Sequence, residues 1–329
     1  MNDRDIAVSI IIVTSGSGDY LKAALASVKE QDYRNQETIV VDNSLNPQLP
    51  LAVNSLLPSA RVCSNSRNLY YGASQNIGIM MSRGEFVLCL NDDVVLDRSF
   101  ISQALKGFLL SDEIGMVSGK ILRMDGLTLD SAGLFLTASY SAGERGYGRI
   151  DSGKFEKSGF IFGVSGAAAF YRRSMLEDIK SRGEYFDPAL RMFYEDLDLA
   201  WRANKRGWKG YYIPSARAFH VRGGSWRPPR GLNKPVARKY VSDQLHYELI
   251  KNRYLVILKN ARLFALLLHL LPVLLYDLCA WGYVLAFRPK VAGMFLSSLK
   301  SVFRPGRSKY PQDRPPDQAY LWEEKTKIP

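Results

Sequence analysis

The chain has 329 residues, 47% of them hydrophobic, which excludes a disordered polypeptide and allows one large domain or two modest ones. Its formal charge of +12 is unevenly spread: residues 1–199 carry 20 Lys and Arg against 25 Asp and Glu, and residues 200–329 carry 24 against 7. Three scattered cysteines, Cys63, Cys89 and Cys279, have no CxxC spacing, which excludes a disulfide framework and a cysteine zinc site and fits a reducing, cytoplasmic setting.

The N-terminal run MNDRDIAVSIIIVT passes from acidic residues straight into a strand pattern, which is not the pattern of a signal peptide. Val8–Thr14 is continuous and β-branched, and the sequence predicts a strand closed by Ser15-Gly16-Ser17-Gly18. Asp19 then caps a helix whose apolar positions, Leu21, Ala24, Leu25 and Val28, recur at helical spacing. Thr38–Val41 and Val62-Cys63 read as strands, with Cys63 and Cys89 as small core residues. Gly72–Arg83 reads as a helix and Phe86–Leu90 as a fourth strand. Strands alternating with helices predict a parallel sheet with crossover connections. No GxGxxG or Walker sequence follows the first strand, so neither a dinucleotide site nor a P-loop is indicated.

Polar residues collect where these strands end: Thr14-Ser15, Asp42-Asn43, Asn65-Ser66 and Asn91-Asp92-Asp93. In open α/β sheets, ligands bind beyond the carboxyl ends of the strands. The adjacent carboxylates of Asp92 and Asp93 are either a solvated turn or a site for a divalent cation carrying a phosphorylated ligand. Asp42 is either an acceptor for a nucleobase or ribose or a helix cap. Asn68, Gly72, Asn76 and Gly78 suit a loop and helix start where backbone approaches a ligand. Arg83 either reaches a phosphate or answers the helix dipole.

Ile114–Ile121 and Leu127–Leu136 read as strands, and the Gly- and Ser-rich residues 137–159 as a mobile lid. In Phe160–Tyr171 the small residues Gly163, Ser165, Gly166 and Ala167 suit close packing beside a ligand. Asp187-Pro188 begins a turn, and Glu195-Asp196-Leu197-Asp198 opens a helix. Its acids either complement the helix dipole or project Glu195 and Asp196 into a site, where a carboxylate serves as a general base. Trp208–Pro214 reads as a strand leading to His220, which is either structural or faces a metal. Residues 222–239 hold six Lys and Arg and no acid, and suit phosphate or anionic lipid.

Leu263–Phe287 is 25 residues long and mostly apolar, long enough to span a bilayer, but holds His269, Pro272 and Asp277. Basic residues flank both ends: Lys259 and Arg262 on one side, Arg288 and Lys290 on the other. A single crossing would place one basic flank against the positive-inside rule. A broken hairpin or interfacial helix on the cytoplasmic leaflet is preferred over a true span or a buried helix. Residues 290–304 follow as an amphipathic helix, and the charged, Pro-rich residues 305–329 as a flexible tail.

Five pieces in order, VSIIIVT, IVVDNS, NLYYGASQNIGI, LNDDVVL and FDPALRMFYEDLDLAWRANKRGWKGYYIPSARAFHVRGGS, resemble the bacterial inverting glycosyltransferases of GT-A fold, especially rhamnosyltransferase-like members of surface polysaccharide synthesis. The likeness covers roughly residues 6–260. It implies an α/β fold with a mainly parallel sheet flanked by helices. The nucleotide-binding half is about 1–97 and the acceptor-binding half about 98–260, with residues 261–304 as membrane-associating helices. It implies that Asp42, with Thr14, Asn68, Gly72, Asn76, Arg83, Asn91 and Asp92, binds the nucleotide-sugar donor. Asn91-Asp92-Asp93 stands at the family's DxD motif with Asn in the first place, which leaves Asp93 as the direct metal ligand. His220 completes the site for Mg²⁺ or Mn²⁺, and Asp196 is the catalytic base with Glu195 beside it. The implied donor is dTDP-rhamnose and the implied acceptor a saccharide, most simply lipid-linked, at an anionic membrane surface. Another hexosyl or galactofuranosyl transferase, and a non-catalytic membrane-bound scaffold for nucleotide sugars, are the competing readings. Nucleic acid is not expected as a partner, because the first half is acidic and the second carries the long apolar segment.

Overall fold

The computed structural model of the chain describes residues 7–16, 18–222 and 242–302. The β-branched run Val8–Thr14 forms β1. It lies well inside a broad sheet, so both of its faces are covered: Ile10 and Ile12 enter one core, Ile11 the other. This is the alternation a strand imposes. After β1 come α1 (Asp19–Lys29), β2 (Gln36–Asp42), α2 (Leu49–Leu56), β3 (Arg61–Ser64), α3 (Tyr70–Met81) and β4 (Phe86–Asn91). β1 pairs in parallel with β2 and β4, and β2 with β3, so their carboxyl ends share one edge.

The chain continues through β5 (Val94–Leu96), α4 (Phe100–Phe108), β6 (Ile114–Arg123), β7 (Leu129–Ser131), β8 (Leu134–Leu136), β9 (Ala142–Glu144), β10 (Gly159–Ile161) and β11 (Ala168–Arg172). It closes the sheet with α5 (Arg173–Ile179), α6 (Glu195–Lys205) and β12 (Lys209–His220). The order is β10-β12-β6-β11-β4-β1-β2-β3, with β5 on β12, β7 on β6, and β8 paired to β9 apart. The sheet is mixed, with its longest pairings parallel, β1 with β2 and β4 and β6 with β12, and shorter antiparallel pairings beside them. β11 runs antiparallel to both β4 and β6. The Asn91 N–H donates to the Ala167 carbonyl at 2.9 Å, so the chain enters β11 beside the end of β4 and runs back along it.

Several local expectations are corrected. Gly18 precedes α1 with φ +61°, and Asp19 is the first helical residue rather than the cap. The run Leu127–Leu136 is broken into β7 and β8 at Gly133, whose φ is +107°. Of residues 137–159, expected as a mobile lid, Tyr140 and Ser141 are buried while most of 149–158 is exposed. Lys120 is wholly buried and needs counter-charges, which Asp151 (2.8 Å) and Glu156 supply, while Tyr140 stacks on Trp201 at 5.3 Å between centroids. Cys63 is half-buried and Cys89 fully buried. The basic residues 223–239 and the tail 305–329 lie outside the described residues.

α7 (Asp243–Asn260) is followed by α8 (Leu263–Leu268), α9 (Leu270–Phe287) and α10 (Pro289–Val302). The apolar stretch is interrupted at His269, whose ring meets Tyr140 edge-on at 5.4 Å. Pro272 falls in the first turn of α9, where a missing N–H costs nothing. α9 is long and apolar enough to cross a membrane, at ~27 Å by helical rise, yet Val273, Ala280 and Val284 are packed inward. Leu271, Leu274, Leu275, Leu278 and Leu285 are exposed.

The seating of α3 on β1 depends on Gly78, where a Cβ would lie 2.2 Å from Ile11 Cγ2. Gly78→Ala is expected to cost about 1–3 kcal/mol through overpacking, read as a lower midpoint in urea unfolding with an unchanged slope. An unchanged midpoint would mean that α3 is not held against β1 in this way.

Candidate active site

A cavity of about 680 Å³ opens at the edge where β1 and β4 end. Its walls come from segments far apart in the chain. Ser15 and Gly16 follow β1, Asn43 follows β2, and Asn68 precedes α3. Asn91, Asp92 and Asp93 lie at the turn after β4. Ser165, Gly166 and Ala167 precede β11, Glu195 and Asp196 open α6, and His220 and Arg222 end β12. Asp93 and Asp196 thus face one space.

Asp93 is tied to the end of β12. Its carbonyl accepts from the Val221 N–H at 3.0 Å, and its Oδ1 lies 3.2 Å from His220 Nε2. The other ring nitrogen, Nδ1, lies 2.8 Å from Asp130 Oδ2, and Arg222 Nε donates to Asp130 Oδ1. Asp130 is fully buried on β7; burial opposes its ionisation, but Arg222 and His220 outweigh that and hold its pKa at about 2. Burial likewise disfavours a charged His220, and the hydrogen bonds from Asp130 and Asp93 override it, lifting its pKa to about 9. The imidazole is therefore oriented by a carboxylate behind it and presented beside Asp93, the usual arrangement behind a metal-facing histidine.

Glu195 and Asp196 are delivered by a strained entry into α6. Phe193 and Tyr194 both hold positive φ, at 70° and 69°. Such geometry persists only when its surroundings impose it. Here Asn252 of α7 donates to the Met192 carbonyl at 2.8 Å and the Phe193 carbonyl at 2.9 Å. Asp196 Oδ2 accepts from the Gly166 N–H at 3.1 Å and Oδ1 from the Leu197 N–H at 2.7 Å. Glu195 Oε2 is buried with no hydrogen-bond partner. Burial raises both pKa values. The neighbouring Asp196 pushes Glu195 up further, whereas backbone N–H groups and Arg222 restrain Asp196. Asp196 is the carboxylate that ionises more readily, and Glu195 the one that keeps its proton.

Of the residues singled out in the sequence, the cavity brings together Asn68, Asn91, Asp92, Asp93, Glu195, Asp196 and His220. Thr14 and Asp42 stand just behind its wall. Thr14 Oγ1 accepts from the Gly16 N–H at 3.0 Å, and the Asp42 oxygens accept from the Ser44 N–H at 2.7 Å and Ser64 Oγ at 3.1 Å. Gly72, Asn76, Gly78 and Arg83 are not brought to it, and Gly78 packs on Ile11 instead. Gly72 packs on the segment after α5, where a Cβ would sit 3.4 Å from Phe186 Cβ. Asn76 is spent on backbone, donating to the Phe186 carbonyl and accepting from the Tyr185 and Phe186 N–H groups. Arg83 follows the far end of α3, where its N–H donates to Glu37 at the start of β2, on the opposite edge of the sheet.

The sequence reading missed Glu144 and Asp130 as members of this cluster, named Arg222 only within a basic stretch suited to phosphate or lipid, and missed Tyr71, whose hydroxyl donates to the Gly166 carbonyl at 2.8 Å. A lone Asp inside the Leu127–Leu136 run was the available signal, since a carboxylate in a covered strand needs a partner. Glu144 gave none, because its partners Ser131 and Ser165 lie 13 and 21 residues away along the chain.

Once a cation displaces the proton that His220 Nε2 holds against Asp93, the two supply one carboxylate and one neutral imidazole side by side. That pair fits a hard divalent cation that takes its remaining ligands from a diphosphate and water. Among the described residues no group of three or more His, Cys, Asp or Glu is arranged to hold a metal alone.

Residues 9–180 match the family described as Glycosyl transferase family 2. The chain belongs to glycosyl transferase family 2. Among curated relatives, a Mycobacterium tuberculosis N-acetylglucosaminyl-diphospho-decaprenol L-rhamnosyltransferase is 25% identical over 233 residues, 64% of this chain and 75% of that protein. An uncharacterised Sinorhizobium fredii protein is 26% identical over 228 residues, but the chain spans only 24% of its length. The GT-A fold is shared with solved structures. A Pyrobaculum calidifontis mannosyltransferase in complex with GDP-mannose and Mn²⁺ has TM-score 0.53 and 16% identity, over 92% of this chain and 76% of that one. Staphylococcus aureus TarS has TM-score 0.60 and 18% identity over 92% of this chain and 50% of that one. GalNAc-T7 with UDP, GalNAc and Mn²⁺ has TM-score 0.58 and 14% identity over 78% and 49%. The last two are about twice the length that this chain covers.

Glu144 of this family 2 transferase gives a test of the site's electrostatics. Ser165 Oγ donates to its Oε1 at 3.0 Å and Ser131 Oγ to its Oε2. Burial, reinforced by Asp196 and Asp130 and opposed by Arg222, raises its pKa from 4.5 to about 7. The folded protein then holds a proton that the unfolded chain has lost. Glu144's contribution to stability is full below pH 4.5 and lost as pH rises to about 7. Glu144→Gln is expected to remove that part of the slope in unfolding free energy across this interval. An identical pH profile in the variant would contradict the assignment.

Proposed function

We propose that this family 2 glycosyltransferase is an inverting enzyme that moves a sugar, with rhamnose the preferred reading, from a nucleotide-diphosphate donor to a saccharide carried by a membrane lipid. One observation carries the reading: Asp93, beside His220, and Asp196 line the same cavity at the carboxyl ends of parallel strands. The nucleotide would lie over the ends of β1, β2 and β4, near Asp42, Asn43 and Asn68. Asp93 and His220 would hold a divalent cation, Mg²⁺ or Mn²⁺. Once bound, that cation neutralises the diphosphate leaving group.

The residues of the chain do the rest. Asp92 and Asn91 position the donor beside Asp93. Asp196, ionised and fixed by the Gly166 and Leu197 N–H groups, takes the proton from an acceptor hydroxyl. The hydroxyl oxygen bonds to the anomeric carbon from the face opposite the nucleotide. The bond from that carbon to the diphosphate oxygen breaks with its electron pair, which inverts the centre. Glu195, protonated, adds no second negative charge beside the base. The sugar and the lipid acceptor take support from the mycobacterial relative, whose name states both.

Membrane attachment is supported by the exposed leucines of α8 and α9. α9 is fastened along one side to the domain: Asp277 pairs with Arg253 at 2.6 Å, and Val273, Ala280 and Val284 pack inward. A helix fastened in this way lies in the interface rather than crossing it. Charge has the smaller part. Lys259 is paired with Asp187 and Asp198, and Arg288 with Asp243 at 2.7 Å, so two of the four flanking cations are engaged within the protein. On this reading residues 1–260 are the catalytic domain and the helices after them its platform on the inner face of the cell membrane.

Asp196→Asn is expected to lower transfer from dTDP-rhamnose to a prenyl-diphospho-N-acetylglucosamine by about 10²–10⁴, with nucleotide binding retained. Wild-type turnover in the variant would end the base assignment. Replacing Leu271, Leu274 and Leu278 together by Ser is expected to leave the fold intact and abolish co-sedimentation with vesicles containing anionic lipid. A triple variant that still sediments would contradict the platform.

A further inference from the structure

A second cavity, of about 350 Å³, adjoins the first and shares Glu144, Phe193, Glu195 and Asp196 with it. Its other walls are α7 and α9, with Arg253 and Tyr254 from one and Tyr276, Asp277, Ala280 and Trp281 from the other. The size lies in the range of small-molecule sites. Its chemistry is aromatic with a few polar groups. Trp281 Nε1 donates to the Tyr254 hydroxyl at 2.8 Å, and the Arg253 guanidinium lies 4.5 Å from the Tyr276 ring centroid. Two polar atoms of the wall residues have no protein partner, Glu195 Oε2 and Arg253 Nε. A guanidinium and carboxylates set among aromatic rings suit a sugar, with its hydroxyl edges and apolar faces.

We infer that this second cavity holds the acceptor saccharide, and that α9 is at once its inner wall and the protein's contact with the lipid surface. The inference rests on the transferase reading given above and deepens it by naming where the acceptor sits and which elements recognise it. Tyr276, Ala280 and Trp281 face the cavity, whereas Leu271, Leu274, Leu275 and Leu278 of the same helix face outward. A saccharide tethered to a membrane lipid reaches Asp196 by passing around one helix, without its lipid leaving the bilayer. The two substrates then meet at the carboxylates shared by both cavities, Glu144, Glu195 and Asp196. Glu195 is a positioning residue for the acceptor hydroxyl, beside the base.

The test separates the two cavities by binding. Ala280→Phe fills the second cavity from a wall position that does not line the first, and Tyr276→Ala removes one of its rings. Binding of a short-chain prenyl-diphospho-N-acetylglucosamine is measured by saturation-transfer NMR, and binding of UDP, GDP and dTDP with Mn²⁺ by calorimetry. The expected result is acceptor-probe binding by the wild type, weakened at least tenfold by Ala280→Phe and also weakened by Tyr276→Ala, with nucleotide binding and melting temperature unchanged. Undiminished probe binding in both variants, or no probe binding by the wild type, would overturn the inference. Failure of every nucleotide to bind the wild type would instead overturn the transferase reading on which it rests.

Discussion

Carboxylates converge on the principal cavity in greater number than the cations that face them. Asp92, Asp93, Glu144, Glu195 and Asp196 line it, and among the described residues His220 and Arg222 are the positively charged groups there. Both of those are also engaged by Asp130 behind the wall. Like charges held together in a poorly hydrated space cannot all ionise. Burial and this repulsion raise the pKa of Glu144, to about 7, and that of Glu195, which gives up its proton less readily than Asp196. A diphosphate would add to the repulsion unless a cation came with it. The same imbalance that costs folding stability therefore favours a ligand delivered with a divalent ion.

Holding this arrangement falls to α7. Besides the Asn252 bonds to the strained residues before α6, Lys251 donates to the Ala189 carbonyl at 3.0 Å. Asn260 donates to Asp198 at 2.8 Å, and Asp198 also pairs with Arg202 at 3.0 Å. Buried pairs of this kind add little net stability, but breaking one strands a charge and typically costs about 3–5 kcal/mol. The loop that presents Glu195 and Asp196 is thus fixed from the side on which α9 packs. The proposed membrane platform and acceptor wall are thereby tied through α7 to Glu195 and Asp196.

How much of this was legible depended on whether the signal was local. VSIIIVT and FVLCLN are continuous apolar runs, and both form buried strands where the sequence placed them. The acids of Glu195-Asp196-Leu197-Asp198 mark the start of α6 because a helix N-terminus favours them. Arg83 misled because the helix before it, 12 residues long, carries the chain ~18 Å to the opposite edge of the sheet. α7 left no apolar stripe, since it buries His246, Glu248, Lys251, Asn252 and Arg253 as well as Ile250, Leu255, Val256 and Ile257. Glu144 and Asp130 sit on short hairpins, but they join the cluster through side-chain partners far along the chain, Ser165 for Glu144 and His220 for Asp130, which no window of residues records.

Crystals grown with Mn²⁺ and a nucleoside diphosphate would test the account most directly, by locating manganese from its anomalous scattering. The account predicts a peak against Asp93 and His220, in the cavity that Asp196 also lines, with the diphosphate beside it. A peak remote from Asp93, or nucleotide bound in that cavity with no manganese, would contradict it.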